Sequence, residues 1–250
     1  MATSRLRRMI WVSTLVLSPC SAVLAQSGTD PATATKTKAA AEPSTAKPPA
    51  TADAAKPATA APEAKVEATT LSDAIKKTMR DAANPVVIMS TTKGDITIEL
   101  YKKESPKTVA NFLSYVKKGQ YTGTIFHRVM PNFMIQGGGY TKDLSEKPTD
   151  PPIVNEASNG LSNALGTIAM ARLDAPNTAT AQFYINTSSR NQFLDKAQAR
   201  DGAGYCVFGK VLDGMNAVKA IEATPTIEKP PAFEALPQIA VEIKSVKQVQ

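Results

Sequence analysis

The chain has 250 residues, enough for one good-sized domain with additional segments. Its formal net charge is +7, but three of these charges are arginines within residues 1–25, and no Lys/Arg stripe alternates with aromatic residues, so the composition argues against nucleic-acid binding. A single histidine, and a single cysteine (Cys206) beyond residue 25, exclude an internal disulfide there and most metal sites, so we expect no metal and no cofactor.

Residues 1–25 have the three parts of a secretory signal peptide. The three arginines make a basic start, an apolar run extends from Met9 to Leu17, and small residues lead to a cleavage site after Ala25. The apolar run is too short for a membrane anchor, because a spanning helix needs about 20 residues. Lipidation at Cys20 is a second alternative, which the proline just before it disfavours. We expect a periplasmic protein without stable membrane insertion.

Residues 26–70 consist mostly of Ala, Pro, Thr and Lys, with hardly an apolar side chain larger than alanine. Such a segment cannot bury enough surface to offset the entropy of ordering it, so we predict a disordered linker. In residues 71–83, Leu71, Ile75 and Met79 recur at helical spacing and predict a short helix. The pattern leaves open whether that helix packs on the domain or extends the linker.

The compact domain is predicted over residues 84–250, where short runs of alternating apolar residues indicate many strands. Strands are predicted at 86–91, 96–101, on both sides of Pro131-Asn132, and at 166–171, 181–185, 205–211 and 239–244. Helices are predicted from Ser105-Pro106 to Gly119 and from a cap at Asp213 to Pro225, and Phe193-Leu194-Asp195 is placed in a loop. This order predicts a closed antiparallel barrel rather than βαβ units.

The stretch from Phe126 to Gly139 contains the main candidate functional residues. Arg128 lies five residues before Phe133 and eight before Gln136, and a run of glycines ends the segment. If two strands pair here, a permanent cation, a neutral amide and an apolar wall share one surface. These side chains can hold an uncharged peptide group and an apolar ring, but they are poorly suited to breaking a covalent bond. The glycines lack the Lys-Ser/Thr and the helix of a phosphate-binding loop.

This stretch resembles the signature of the cyclophilins, a family of peptidyl-prolyl cis-trans isomerases. Segments 166–171, 182–185, 193–195 and 205–211 also resemble motifs of that family, so the resemblance covers roughly residues 85–248. It implies a mainly β fold, a closed eight-stranded antiparallel barrel with one α-helix over each end and a substrate groove on the outer face. The implied partners are unfolded or partly folded polypeptides containing X-Pro, and we expect a monomer that assists the folding of exported proteins.

The resemblance also implies the site. Arg128 would stabilise the twisted amide as the catalytic residue. The bound peptide would be contacted by Phe133, Met134, Gln136, Ala171, Gln182, Tyr184, Phe193, Leu194 and Tyr205. The family often has Trp at position 193 and His at position 205, and it usually has Phe at position 184, so the hydroxyl of Tyr184 needs a partner of its own. Arg172 stands where the family has a small polar residue.

Simpler interpretations stay open beside these. Arg128 could form a surface salt bridge, Phe133 and Met134 could pack in the core, and His127 is expected to be structural because the reaction moves no proton. One alternative function is a proline-peptide-binding chaperone or adaptor with little turnover. The other is a hydrolase that pairs His127 with a serine, but no serine lies in a nucleophile-elbow context.

Overall fold

The computed structural model describes residues 71–230 and 233–250, so the predicted signal peptide and linker lie outside the described residues. The strands are β1 Val86–Thr91, β2 Gly94–Leu100, β3 Thr124–Met130, β4 Met134–Thr141, β5 Thr167–Met170, β6 Phe183–Asn186, β7 Val207–Asp213, β8 Thr226–Lys229, β9 Phe233–Pro237 and β10 Glu242–Gln248. The helices are α1 Asp73–Lys76, α2 Pro106–Lys117, α3 Met215–Glu222 and a 3-10 helix at Asn191–Leu194. None of these helices is both long and apolar enough to cross a bilayer.

Eight strands close into a barrel in the order β1-β10-β3-β4-β6-β5-β7-β2, and β2 pairs back with β1. Every pairing in the barrel is antiparallel. The prediction of a mainly β protein with a closed eight-stranded antiparallel barrel is therefore confirmed. Closure satisfies the backbone groups that an open sheet would leave at its edges.

The barrel interior is filled by alternate residues of the strands and by one face each of α2 and α3. Phe112 on α2 and Ile221 on α3 are fully buried in this core. The ring of Phe112 lies 5.0 Å from that of Tyr121 and 5.3 Å from that of Phe208, measured between centroids. Because inner positions alternate with outer ones along a strand, this packing leaves every second residue facing outward.

The predicted helix caps differ from the observed ones. Ser105 precedes α2 as expected, but its hydroxyl donates to the Val207 carbonyl at 3.0 Å and does not cap the helix. The cap of α3 is Gly214 rather than Asp213, and the Asp213 carboxylate accepts from the Gly214 amide instead. Gly214 has a φ of 89°, in the left-handed region where a side chain would be strained, so glycine suits this junction.

Two elements near the C-terminus were predicted wrongly or not at all. The last strand begins at Glu242 rather than at Ile239, because the chain bends at Gln238 and Ile239, and the Ile239 side chain is 77% exposed. The hairpin of β8 and β9 has no counterpart among the predicted elements.

The segment predicted as a loop around Phe193 is in part the 3-10 helix.

Residues 71–84 lie against the barrel through one buried carboxylate. Helix α1 covers only four residues of this segment. Glu99 on β2 is 1% exposed and accepts hydrogen bonds from the Arg80 amide at 2.9 Å, from the Asp81 amide at 3.0 Å and from Asn84 Nδ2 at 2.8 Å. The guanidinium of Arg80 also lies over the Tyr101 ring, 5.1 Å from its centroid.

Candidate active site

Three neighbouring strands present a row of polar and aromatic residues on the outside of the barrel. Arg128 on β3 lies opposite Gln136 on β4, and Gln136 lies opposite Tyr184 on β6. Residues paired across strands point to the same face, and their neighbours in each strand point to the other face. Val129 and Ile135 are fully buried in the interior. Arg128, Gln136 and Tyr184 therefore face outward together.

A slot of about 140 Å³ opens beside this row. It is lined by Arg128, Phe133, Met134, Gln136, Ala171, Arg172, Tyr184, Leu194 and Tyr205. Eight of the ten residues implied by the resemblance are in this set, and Gln182 and Phe193 are not. The slot is smaller than the 300–1,000 Å³ or so of typical ligand pockets, and its mixed polar and apolar wall suits a single small ring with one peptide group.

The apolar wall of the slot is a second hydrophobic cluster, separate from the barrel core. Met134 is 2% exposed but belongs to this outer cluster, so its burial does not place it in the barrel interior. Phe133 packs on the edge of the same cluster. Its ring stacks on that of Phe193, with centroids 5.8 Å apart and planes 20° apart, and Phe193 is itself 51% exposed. Phe193 therefore extends the slot at its rim.

Arg128 lies at the mouth of the slot. Its side chain is 32% exposed, and its Nη2 forms an ion pair with Glu234 Oε2 on β9 at 3.2 Å. Arg128 thus forms a surface salt bridge, and the same side chain also lines the slot. No sequence signal pointed to Glu234, because the hairpin that carries it was not predicted.

Gln182 lies just outside the slot and acts on Gln136. The Gln136 amide Nε2 donates to Gln182 Oε1 at 3.0 Å. Gly139 makes this position possible, because a Cβ at residue 139 would lie 2.6 Å from Gln182 Nε2. The glycine at this position therefore provides space for a glutamine side chain, which agrees with discounting the glycine run as a phosphate cradle.

Arg172 lines the slot, although in the sequence it stands out only because the family has a small polar residue at this position. Its guanidinium lies over the ring of Tyr205, 4.3 Å from the centroid, and its Nε donates to the Gly204 carbonyl at 3.0 Å. It also pairs with Asp201, and its hydrogen bond holds the pKa of that carboxyl at about 2. The Arg172 side chain is 2% exposed, so its charge is locked into the wall.

His127 lies next to Arg128 at a register shift in β3, and it is buried against the β8–β9 hairpin on the outside of the barrel. Its side chain is 5% exposed, and its Nδ1 has no hydrogen-bond partner among the described residues. Its ring packs edge-on against Tyr140, 4.8 Å away, and against Phe233, 6.3 Å away. Burial lowers the pKa of His127 to about 4, so the ring is neutral near pH 7. This environment fits a structural residue.

The arrangement suits rotation about an amide rather than its cleavage. Resonance opposes that rotation with a barrier of roughly 18–20 kcal/mol, and for X-Pro bonds the two isomers lie within about 1 kcal/mol of each other. Only binding the twisted amide more tightly than either planar form accelerates the exchange. A guanidinium beside an apolar slot can do this, because the proline nitrogen gains a lone pair when conjugation is lost.

In the described residues, no group of three or more His, Cys, Asp or Glu is placed to hold a metal ion.

The barrel domain is similar to known proteins in sequence and in fold. The sequence model of the family described as "Cyclophilin type peptidyl-prolyl cis-trans isomerase/CLD" matches residues 86–248. A peptidyl-prolyl cis-trans isomerase of Acinetobacter baylyi is 50% identical over 168 residues, which is 66% of this chain and 88% of that protein. Peptidyl-prolyl cis-trans isomerase B of Escherichia coli is 49% identical over 142 residues, 56% of this chain and 86% of that protein.

Among solved structures, a cyclophilin-type isomerase of Cryptosporidium parvum aligns with a TM-score of 0.53 at 27% identity, covering 66% of this chain and 97% of that one. The fold and the sequence relatives therefore agree. The chain belongs to the cyclophilin family and is a peptidyl-prolyl cis-trans isomerase.

Proposed function

We propose that this isomerase accelerates X-Pro rotation in exported proteins while they fold in the periplasm. The support for export is the basic, apolar and small-residue order of residues 1–25, which is typical of a cleavable signal peptide. The clients would be unfolded or partly folded polypeptides, since such chains expose their X-Pro bonds to an open slot. The enzyme would act as a monomer, because one chain supplies every residue that lines the slot.

We assign the catalytic role to Arg128. The observation that carries this assignment is its position at the slot mouth, opposite Gln136 and beside the apolar cluster. Arginine stays charged at physiological pH and presents its donors in a fixed fork. A thousandfold acceleration requires about 4 kcal/mol. One charge-assisted hydrogen bond in a preorganised slot is sufficient for this.

The other slot residues would hold the peptide. Gln136, kept in place by Gln182, would bind a substrate carbonyl, and the Ala171 backbone would pair with the chain. The proline ring would lie in the apolar cluster. Its walls would be Phe133, Met134, Tyr184 and Leu194, with Phe193 and Tyr205 at the rim.

The mechanism is tested by turnover of an X-Pro peptide in a protease-coupled assay with the chain from residue 26 onward. We expect Arg128→Ala to lower kcat/KM by about a hundredfold, as removal of one preorganised donor does in other enzymes. Arg128→Lys keeps the charge but loses the fork, so its kcat/KM should lie between those of the wild type and Arg128→Ala. Unchanged turnover in Arg128→Ala would refute the assignment, and peptide binding without turnover in the wild type would favour the chaperone or adaptor alternative.

Export is tested by cell fractionation of the tagged full-length chain. We expect a processed form in the periplasm and an unprocessed cytoplasmic form when residues 2–25 are deleted. Cys20→Ser should not change the location, since we expect no lipid on that cysteine. Membrane retention that depends on Cys20 would show lipidation instead.

A further inference from the structure

The hairpin of β8 and β9 stands outside the barrel, and its second strand lies beside the slot. Phe233, the first residue of β9, packs edge-on against Tyr140 with centroids 5.1 Å apart, and against His127 at 6.3 Å. Both of these rings belong to the barrel wall that carries Arg128. Phe233 thus fixes the start of β9 on that wall, and the next residue, Glu234, is brought to the guanidinium.

Arg128 separates two cavities. On one side it lines the slot with Tyr184 and Leu194, and on the other side it lines an open groove together with Glu234 and Phe233. The carboxylate contacts Nη2 at 3.2 Å, and Glu234 lines the groove without lining the slot. The guanidinium has five N–H donors, and this ion pair uses one of the two terminal nitrogens. The remaining donors make no hydrogen bond within the part of the chain that the structure describes, so they stay available to a substrate.

We propose that Glu234 is a positioning residue that holds the Arg128 guanidinium at the mouth of the slot. This inference rests on the catalytic role proposed for Arg128. A free arginine side chain populates many rotamers, so its fork would face the slot during only part of the time. A carboxylate on the groove side restricts the fork to one orientation before substrate arrives, and preorganisation of this kind favours the twisted state.

The positioning role makes a specific kinetic prediction. An interaction that orients the cation for the twisted amide lowers kcat when it is lost and changes KM little, because the planar substrate gains less from the fork. Glu234 is 76% exposed, so the pair is weakened by salt. We expect Glu234→Ala to lower kcat about two- to fivefold, the size expected of an exposed ion pair.

The experiment measures kcat and KM for an Ala-Pro peptide by NMR exchange at low and at high salt. Glu234→Ala removes charge and acceptor together, and Glu234→Gln keeps an acceptor oxygen. Glu228→Ala is the matched control, because Glu228 is an exposed carboxylate on β8 of the same hairpin and makes no ion pair with Arg128. We expect Glu234→Ala to lose kcat at low salt and to match the wild type at high salt. Glu234→Gln should be intermediate, and Glu228→Ala should be unchanged.

A double-mutant cycle separates coupling from damage to the hairpin. If Glu234 acts through the fork, Glu234→Ala should have a smaller effect in the Arg128→Lys background than in the wild type. Equal effects in both backgrounds, or a loss in Glu228→Ala as large as in Glu234→Ala, would overturn the positioning role. A rise in kcat/KM of Glu234→Ala would also overturn it, since the carboxylate would then compete with substrate. If instead Arg128→Ala keeps full turnover, the catalytic assignment itself fails, whatever Glu234→Ala does.

Discussion

The hydroxyl of Tyr184 donates a hydrogen bond to Asn163 Oδ1 at 2.7 Å. Asn163 is fully buried. Its backbone N–H donates to Asp195 Oδ1 at 2.7 Å, and its side-chain Nδ2 donates to the same oxygen at 2.9 Å. The floor of the slot is thereby linked to the end of the 3-10 helix that carries Leu194. The hydroxyl of this tyrosine, which stands where the family usually has phenylalanine, thus has a buried partner. Burial raises the pKa of Tyr184 well above its ordinary value, so the hydroxyl stays a neutral donor.

Loss of Asn163 should cost more than loss of the tyrosine hydroxyl. Tyr184→Phe removes one buried hydrogen bond, about 1 kcal/mol of unfolding free energy. Asn163→Ala leaves the Tyr184 hydroxyl buried without a partner and should cost roughly 1–3 kcal/mol more. Urea unfolding measures both. In the double variant the orphaned hydroxyl is absent, so we expect a coupling energy of at least about 0.5 kcal/mol. Strict additivity would contradict the link.

His127 should make stability depend on pH in a predictable direction. Its folded pKa of about 4 lies below the ordinary value of 6.5, because burial disfavours the charged ring. The unfolded chain therefore binds a proton that the folded chain does not, and stability falls as the pH drops from about 6.5 towards 4. Relative to His127→Gln, the wild type should lose about 2.5 kcal/mol between pH 7.5 and pH 4.5.

Wild type and His127→Gln have the same carboxyl groups, so the contributions of those groups to the pH dependence cancel in the difference. Because the chain has a single histidine, the remaining difference reports on His127 alone. Urea unfolding at several pH values gives the difference. A difference that does not change with pH would contradict the buried neutral ring. For the same reason kcat/KM should be flat between pH 5.5 and pH 8, since the ring does not titrate there.

Gly139 should matter for substrate binding rather than for stability. A Cβ at this position would meet the flexible end of Gln182, which can move aside and release Gln136. We expect Gly139→Ala to raise KM about fivefold, the equivalent of one hydrogen bond, with little change in Tm. If the effect passes through Gln182, it should nearly vanish in a Gln182→Ala background. A full effect in that background would point to another cause.

Glu99 should anchor residues 71–84 to the barrel. Glu99→Ala removes the acceptor of three donors, and hydrogen bonds to a charged group contribute about 1.5–3 kcal/mol each. We expect faster hydrogen exchange at Arg80 and Asp81 and easier proteolysis before Pro85, with unchanged turnover. Glu104→Ala is the control, because it removes the ion-pair partner of the half-exposed Arg80 side chain and leaves the three donors to Glu99 in place, so it should cost less than about 1 kcal/mol.

The barrel strands were predictable because their signals are local. An apolar run predicted β1 at its observed bounds. Alternation around Arg128 and the apolar run from Phe133 to Ile135 located β3 and β4 on either side of Pro131-Asn132. Where several signals compete, prediction failed. Ile239 continues an alternating pattern that the bend before β10 interrupts, and Asp213 has the chemistry of a cap although Gly214 has the backbone conformation for it.

The sequence by itself determined which side chains the strand pair from Phe126 to Gly139 presents, because their residue types and spacing are local and specific. Only the tertiary structure decided which groups meet there. Glu234 lies 106 residues from Arg128, and Asn163 lies 21 residues from Tyr184, so no periodic pattern connects them. Barrel closure and the folding of a hairpin over one wall bring these groups within hydrogen-bond distance, and neither event leaves a signal in a short window of sequence.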